Sequence, residues 1–437
     1  MSIQQDIRRA GVVGAGGGGF PAHVKAGAHV DCVIANGAEC EPLIHKDYEL
    51  MVNRPREIVD GLKLLMDATG AATGIIGVKR KNEKAIQALS DALDDSRISL
   101  HLLGDFYPSG DEYILVYDST GRLIPPQGIP LDVGIVVNNV ETLYNVTRAA
   151  DGLPVTEKFI TVAGAVKEPA TCIVPIGTTY RDALEIAGGA LPEKYAVFTG
   201  GIMMGSLESD LDAPVTKTCA GLIVLPEDHP LIQRMSQPES NMHRIGKSAC
   251  DQCSYCTELC PRYILGYDVQ PHKVMRSLGF TKTGEDFWNQ FASLCCSCGL
   301  CTLYACPENL FPKEACDRSK ESMKAAGQRW EGVNRVSPHP MQEGRRTPLK
   351  QLMRKLGIVD FDRPSRFRER PVRPKRVRIP LQQHMGEAAT PVVGKGERVE
   401  EGALIADVPE GKLGSAVHSS VSGLVQEVGN MIVIERE

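Results

Sequence analysis

The sequence lacks three features, and each absence excludes a class of protein. No window approaches the roughly twenty consecutive apolar residues of a membrane span, so no transmembrane helix is expected. The formal net charge is only −5, which does not favour a general nucleic-acid binder. No secretory signal is recognisable, so we expect the fourteen cysteines to lie in a reducing, cytoplasmic compartment as free thiols or metal ligands.

What the sequence does contain is a concentration of cysteine in one stretch. Cys250, Cys253, Cys256 and Cys260 form the run C-x-x-C-x-x-C-x-x-x-C, and Pro261 follows. This spacing is typical of bacterial ferredoxins, in which three thiolates bind one [4Fe-4S] cluster and the fourth binds its neighbour. Structural zinc, the alternative, prefers two separated pairs of ligands. The run therefore predicts iron–sulfur clusters.

A second run departs from this pattern twice. One extra residue separates Cys301 from Cys306, and Cys296 lies beside Cys295. We predict that Cys250, Cys253, Cys256 and Cys306 bind one cluster, and that Cys295, Cys298, Cys301 and Cys260 bind the other. The sequence does not decide whether Cys295 or Cys296 is the ligand.

Near the amino terminus lies a glycine-rich segment, GAGGGGFP, which runs from Gly14 to Pro21. Glycine lets backbone N–H groups approach a phosphate, and Lys25 adds positive charge one helical turn further on. The spacing is not the GxGxxG of dinucleotide-binding folds. A phosphate-binding loop and a tight turn without a ligand are both compatible with this segment alone.

Strands and helices alternate after this loop. Apolar runs predict strands over 32–35, 74–78 and 98–103, and helical periodicity predicts helices over 54–69 and 82–93. This order predicts an α/β sandwich with a largely parallel sheet. Ligands in such folds bind at the carboxyl ends of the strands, which makes Asn36 and Glu41 candidate contacts. Carboxylates there are equally compatible with helix caps or solvated groups.

Four motifs in order carry a resemblance to known families. They are GAGGGGFPAHVK, NGAECEP, YPSGDE and NNVETL. Together they resemble the flavin- and NADH-binding subunit of respiratory complex I and, more closely, the RnfC protein of the Rnf electron-transport complex.

The resemblance implies FMN and NADH as ligands of this region. It implies that the FMN phosphate and ribityl chain lie on Gly14, Gly16, Gly17 and Lys25. It implies further flavin contacts from Asn36, Gly110, Asp111, Asn138, Asn139 and Thr142, and nicotinamide-nucleotide contacts from Glu41 and Glu112. Ala15 and Ala38 replace an arginine and an aspartate of the complex I protein, so NADH binding is less closely implied than FMN binding.

The expected architecture is therefore multidomain, α/β plus β. An FMN- and NADH-binding domain at 1–154 precedes a β-rich region, 155–225, that resembles a soluble-ligand-binding β-grasp module. An α-helical ferredoxin-type domain with two [4Fe-4S] clusters is expected at 226–343. Residues 344–378, rich in proline and arginine, suit a solvated linker or a docking strip for an acidic partner. Residues 379–437 resemble the barrel-sandwich hybrid domain of the RnfC protein.

This domain order resembles the cobalamin reductases of bacterial propanediol-utilisation microcompartments over essentially the whole chain. The resemblance implies an NADH-dependent oxidoreductase that reduces cob(III)alamin towards cob(I) for coenzyme B12 recycling. It also implies an adenosyltransferase and a microcompartment shell protein as partners. NADH gives up two electrons together and a cubane takes one, so a flavin must stand between them. No catalytic acid–base residue is needed.

Two other functions stay open at this point. One is a peripheral NADH-oxidising component of an Rnf-like membrane complex, and the other is a non-enzymatic electron carrier or shell-docking module. No motif in the sequence predicts a corrinoid site.

Overall fold

The structure is a computed structural model and describes residues 2–282, 287, 289–333, 335–369 and 372–437. The strands of the amino-terminal domain are β1 (Cys32–Gly37), β2 (Thr73–Lys79), β3 (Ile98–Leu103), β4 (Phe106–Tyr107) and β5 (Ile135–Asn139). Its helices are α1 (Ile3–Arg9), α2 (Ala22–Ala26), α3 (Lys46–Asn53), α4 (Pro55–Thr69), α5 (Glu83–Ala92), α6 (Glu112–Thr120) and α7 (Val140–Ala150). Strands β3, β2, β1 and β5 form a parallel sheet in that order, so the predicted α/β sandwich is confirmed.

Helix α4 shows why this domain forms. Pro55 begins the helix, and Gly70 ends it in the left-handed conformation that glycine adopts without strain. Ile58, Leu62 and Leu65 lie on its buried face. Gly61 allows α4 to pack closely on α7, because a Cβ there would lie 2.1 Å from the carbonyl oxygen of Leu143.

The β-grasp domain follows. Its elements are β6 (Glu157–Gly164), β7 (Ala170–Pro175), α8 (Tyr180–Ile186), β8 (Tyr195–Thr199), β9 (Ser206–Glu208) and β10 (Gly221–Pro226). The next domain is helical, with α9 (Pro230–Met235), α10 (Glu239–Ala249), α11 (Tyr255–Glu258), α12 (Pro261–Ile264), α13 (Pro271–Leu278) and α14 (Pro312–Ala325). A one-turn π-helix covers Cys301–Ala305.

The described residues of 344–378 differ from the free, solvated linker that one interpretation of the sequence expected. They contain β11 (Thr347–Pro348), α15 (Leu349–Leu356) and β12 (Arg366–Arg368). Strand β11 pairs with β4 of the first domain, and β12 adds an edge strand to β7 of the β-grasp sheet. The segment therefore connects two domains through backbone hydrogen bonds.

The carboxyl-terminal domain consists of short strands in two sheets. They are β13 (Arg376–Pro380), β14 (Thr390–Pro391), β15 (Arg398–Val399), β16 (Leu404–Asp407), β17 (Val417–His418), β18 (Gly423–Val428) and β19 (Met431–Arg436). One sheet has the order β13-β19-β18-β15 and the other β14-β16-β17, as expected for a barrel-sandwich hybrid. Across the described residues, no helix combines the length and apolarity that a membrane crossing needs.

Candidate functional site

The four amino-terminal motifs meet at one edge of the parallel sheet. Asn36 near the end of β1 is paired in register with Asn139 at the end of β5. The side-chain amide of Asn36 donates to the carbonyl oxygen of Gly110 at 2.9 Å. A Cβ at Gly16 would lie 3.2 Å from Cβ of Asn139, so the glycine loop contacts the same edge. The structure thus brings together the residues for which the family resemblance implied flavin contacts.

The glycine loop is fixed at its base and open at its tip. The N–H of Ala15 donates to Oγ1 of Thr142 at 3.0 Å, and its carbonyl accepts from Nζ of Lys158 at 3.1 Å. Gly17 has φ +105°, and no atom of the described residues lies within 4 Å of a Cβ built there or at Gly18. Exposed backbone N–H groups in an open glycine loop are the features that a phosphate requires.

A buried ion network supports the loop from behind. Lys46 contacts Glu141 at 2.9 Å and Asp47 at 2.6 Å, and Lys158 also pairs with Glu141. Burial opposes ionisation of Glu141, but the two lysines hold its pKa below the ordinary value. Asp47 in turn accepts from the amide of Asn139 at 2.8 Å. The network therefore fixes both the base of the glycine loop and the end of β5.

Other polar groups near this edge have spare hydrogen-bonding capacity. Asn138 Nδ2 and Ser109 Oγ are buried without a hydrogen-bond partner in the described part of the chain. Lys25 donates to the carbonyl oxygen of Val137 at 2.6 Å and lies 3.8 Å from the exposed carboxylate of Glu112. Buried polar groups are normally satisfied, so such donors indicate a polar ligand. With the open glycine loop, these residues fit FMN.

A predicted flavin contact, Asp111, and a predicted nicotinamide-nucleotide contact, Glu41, are already engaged with protein groups. The Asp111 carboxylate caps α6 through the N–H groups of Tyr113 and Ile114, and it accepts from Arg262 at 2.8 Å. The Glu41 carboxylate accepts from the N–H groups of Met203 and Met204 at 3.1 and 2.9 Å.

Burial raises the pKa of Glu41 to about 7. The flavin contact of Asp111 and the nicotinamide-nucleotide contact of Glu41 stay predictions. The sequence carried no signal for the Arg262 contact of Asp111 or for the contacts of Glu41, because these partners are distant along the chain.

The first cysteine site contains the four thiols predicted for one cluster. Cys250, Cys253, Cys256 and Cys306 line a single cavity. Cys253 is exposed, whereas Cys256 and Cys306 are buried. The N–H of Leu310 donates to Sγ of Cys306 at 3.3 Å, a contact of the kind that tunes cluster potentials.

The second site contains Cys260, Cys298 and Cys301 together with both Cys295 and Cys296. Backbone conformation distinguishes the last two. In the first run the residues two and four after Cys250, Gln252 and Ser254, have φ of 61° and 64°. In the second run the residues two and four after Cys295, Ser297 and Gly299, have φ of 57° and 81°. Cys295 therefore occupies the position of Cys250, and Cys296 occupies the position of Asp251.

The extra residue of the second run is absorbed without disturbing its end. Cys301–Ala305 form the π-helix, whereas the corresponding turn of the first run is the α-helix α11. A π-bulge accommodates one inserted residue and is common at functional sites. Cys306 consequently reaches the first cavity although the spacing differs.

Four thiols line the first cavity and five line the second. None of the fourteen cysteines forms a disulfide. Over the described ranges, no three His, Cys, Asp or Glu side chains converge closely enough to hold one metal ion. Four thiols around a cavity suit a [4Fe-4S] cube, whose corners stand apart, better than a tetrahedral zinc ion. Cys316 lies in α14, where its buried thiol belongs to a hydrophobic cluster against which Cys295 packs.

The second cysteine site directly contacts the segments that carry the predicted flavin contacts, which are called the flavin-side loops. The hydroxyl of Tyr107 donates to the carbonyl oxygen of Cys298 at 2.7 Å. Arg262, two residues after Cys260, pairs with Asp111 and lies over the Tyr113 ring, with its guanidinium carbon 3.4 Å from the ring centroid. These contacts join the two candidate sites through buried groups.

Comparisons with known proteins agree with this arrangement. The Nuo51 FMN-binding domain model matches residues 7–148, and the SLBB domain model matches 159–206. The 4Fe-4S dicluster domain matches 249–311, and the RnfC barrel sandwich hybrid domain matches 368–437. Together, the fold and the sites define a flavin and iron–sulfur oxidoreductase.

Full-length relatives specify the family. The chain is 42% identical over 430 residues to the cobalamin reductase PduS of Citrobacter freundii, in an alignment that covers 98% of this chain and 95% of that protein. It is 41% identical to the Salmonella typhimurium protein of the same name, with coverage of 99% and 95%. The chain belongs to the PduS cobalamin reductase family.

A more distant relative shares only part of the chain. It is a component of the proton-translocating ferredoxin:NAD(+) oxidoreductase complex of Clostridium ljungdahlii, 35% identical over 264 residues, with coverage of 59% of this chain and 55% of that protein.

Proposed function

We propose that this protein is an NADH-dependent reductase of cobalamin that acts on cob(III)alamin towards the cob(I) state. The proposal rests on family membership and on the contacts between the flavin-side loops and the second cysteine site. When bound, FMN and two [4Fe-4S] clusters would supply the conversion of a hydride into single electrons. The chain's own residues bind, orient and connect these groups.

The flavin end is assigned as follows. Backbone N–H groups of Gly16 and Gly17 bind the phosphate, and Lys25 adds positive charge. Asn36 and Asn139 orient the nucleotide at the edge of the sheet. Glu112, which is exposed near Lys25, and Glu41 are proposed to contact the nicotinamide nucleotide, as the resemblance implies.

The cluster end uses the two cysteine cavities. The proposed ligands are Cys250, Cys253, Cys256 and Cys306 at one site, and Cys260, Cys295, Cys298 and Cys301 at the other. Matching backbone conformations support Cys295 over Cys296.

The observation that best supports the proposal is the buried connection between the candidate flavin site and the second cysteine site. Tyr107 and Asp111, which flank the predicted flavin contact Gly110, are hydrogen-bonded to Cys298 and Arg262 of the second cysteine site. Electron transfer requires a fixed distance and orientation between the flavin and the cluster that lies next to it. The contacts of Tyr107 and Asp111 hold the candidate flavin site and the second cysteine site in such an arrangement.

Family membership also supports the proposed setting. We place the protein in the cytoplasm within a bacterial microcompartment, where coenzyme B12 is recycled for propanediol degradation. An adenosyltransferase that alkylates the reduced cobalt and a shell protein are the proposed partners.

The experiment compares anaerobically purified wild-type protein with two variants. Wild type is expected to reduce cob(III)alamin with NADH and no other protein, followed by cobalamin absorbance. Cys253→Ala is expected to lose about four of about eight irons, to keep FMN and to lose cobalamin reduction. Cys172→Ala, at a buried thiol outside both cavities, should behave as wild type. Cofactor-loaded wild type that reduces cobalamin only with added membrane proteins would favour an Rnf-like role instead.

A further inference from the structure

The closed side of the glycine loop is covered by two other domains. Gly19 has φ +61°, and a Cβ there would lie 3.1 Å from Cγ2 of Thr218 and 3.3 Å from Cα of His384. The N–H of Met385 donates to the carbonyl oxygen of Gly19 at 2.9 Å. A turn of the carboxyl-terminal domain, 383–385, therefore holds the backbone of the loop that is proposed to bind FMN.

One lysine joins the same three domains. Lys217 of the β-grasp domain is 2% exposed, and its Nζ donates to the carbonyl oxygens of Gly11 and Ala416, each at 2.7 Å. Its backbone N–H donates to Oε1 of Gln383 at 3.0 Å. Gly11 lies just before the bridge between Val13 and Pro21 that closes the glycine loop. The lysine thus links the base of the loop to both later domains.

The junction leaves no room for a side chain at Gly11. Gly11 has φ +71°, and a Cβ there would lie 2.4 Å from the carbonyl oxygen of Ala416 and 2.8 Å from Nζ of Lys217. Within the described residues, the contacts of the Lys217 amine are to backbone carbonyl oxygens, and no carboxylate acts on it. Burial lowers its pKa to about 7. A buried amine without a carboxylate partner is costly for stability, whereas its two carbonyl contacts define a geometry.

We propose that the FMN site is shared by three domains, in which Lys217 and the turn 383–385 are positioning elements that hold the glycine loop in its phosphate-binding shape. The inference rests on the proposed FMN site and deepens it. It gives the carboxyl-terminal domain a role in flavin binding.

The first test removes a single hydrogen bond to the loop. Met385→Pro deletes the N–H that contacts Gly19. FMN is expected to bind about tenfold more weakly, the effect of losing one ordering hydrogen bond. The matched control is Val392→Pro in the same domain, where an exposed residue loses its N–H bond to Ile405 instead. The control should bind FMN as wild type, measured by recovery of free-flavin fluorescence on dilution of the full-length holoprotein.

The second test addresses the lysine. Lys217→Met removes both carbonyl contacts and should also release FMN, and Lys217→Arg should retain part of the binding. The control, Lys412→Met, changes an exposed lysine of the carboxyl-terminal domain. Iron is measured in every sample, because a variant that only unfolds loses iron and FMN together. A positioning defect loses FMN while about eight irons stay bound.

The outcomes separate the inference from the function on which it rests. Wild type that binds no FMN would overturn the proposed function itself. Wild type that binds FMN, together with Met385→Pro and Lys217→Met variants that bind it equally tightly, would overturn only the shared site. If both variants fail to fold, Gln383→Ala decides the question, because it leaves the Lys217 amine and the Met385 N–H in place and removes only the side-chain bonds of Gln383 to the Lys217 N–H and to the Pro380 carbonyl oxygen. Unchanged FMN affinity in that variant would then refute the inference.

Discussion

The Cys295→Ser variant is expected to lose one cluster, and the Cys296→Ser variant is expected to keep both. The reason is the shared backbone conformation, which places Cys295 where Cys250 stands in the first run and Cys296 where Asp251 stands. The N–H of Ser297 also donates to Sγ of Cys295 at 3.3 Å, as expected for a cluster thiolate. Cys296 has no equivalent ligand in the first run.

The magnitude follows from two cavities with four ligands each. Fully loaded protein should hold about eight irons, and a site with three ligands should lose its cluster, leaving about four. The assay is iron and sulfide analysis of anaerobically purified protein, together with the electron paramagnetic resonance spectrum of the reduced sample. Cys295→Ser should give the signal of one cluster, and Cys296→Ser the signals of two.

Cys316 provides an additional control, because its buried thiol lies in a hydrophobic cluster against which Cys295 packs, close enough to be tested as a substitute ligand. Cys295→Ser combined with Cys316→Ser should still hold about four irons. Four irons in Cys296→Ser with eight in Cys295→Ser would refute the reasoning from backbone conformation. Eight irons in Cys295→Ser that fall to four in the double variant would identify Cys316 as a replacement ligand.

Three further predictions concern single residues. Arg262→Met should destabilise the protein by about 3–5 kcal/mol in urea unfolding, because it leaves the buried Asp111 carboxylate without its cation; a loss below about 1 kcal/mol would contradict this. Glu41→Ala should raise the KM for NADH more than it weakens FMN binding, and an unchanged KM would remove Glu41 from the nucleotide site. Burial and Lys217 lower the pKa of His418 to about 3 from an ordinary 6.5, so its contribution to stability is present above pH 6.5 and is lost as the pH falls towards 3. His418→Gln should flatten the pH dependence of urea unfolding in that window, and an unchanged slope would count against His418.

Local sequence patterns predicted the strands and helices of the first domain well. Hydrophobic periodicity placed the strand over 98–103 and a helix close to the observed Glu83–Ala92. Polar residues such as Asn36 and Asn138 could be placed at the carboxyl edge of a sheet, because strand ends in a parallel sheet lie together. Cysteine spacing predicted which thiols line each cavity, apart from the choice between neighbours.

Contacts between distant parts of the chain could not be predicted in this way. Lys217 lies in an unremarkable stretch, and its partners Gly11 and Ala416 come from opposite ends of the sequence. Arg363 resembled part of a solvated basic strip, yet its guanidinium donates to carbonyl oxygens of the β-grasp domain, including that of Gly164 at 3.3 Å. No local pattern reports such pairings, since each depends on how complete domains pack.

The most direct measurement of the central claim is an anaerobic absorbance titration of cofactor-loaded wild-type protein, first with NADH and then with cob(III)alamin. The account predicts that NADH bleaches the flavin bands and that cob(III)alamin restores them as reduced cobalamin appears. Flavin bands that NADH leaves unchanged, or reduced protein that cob(III)alamin fails to reoxidise, would contradict it.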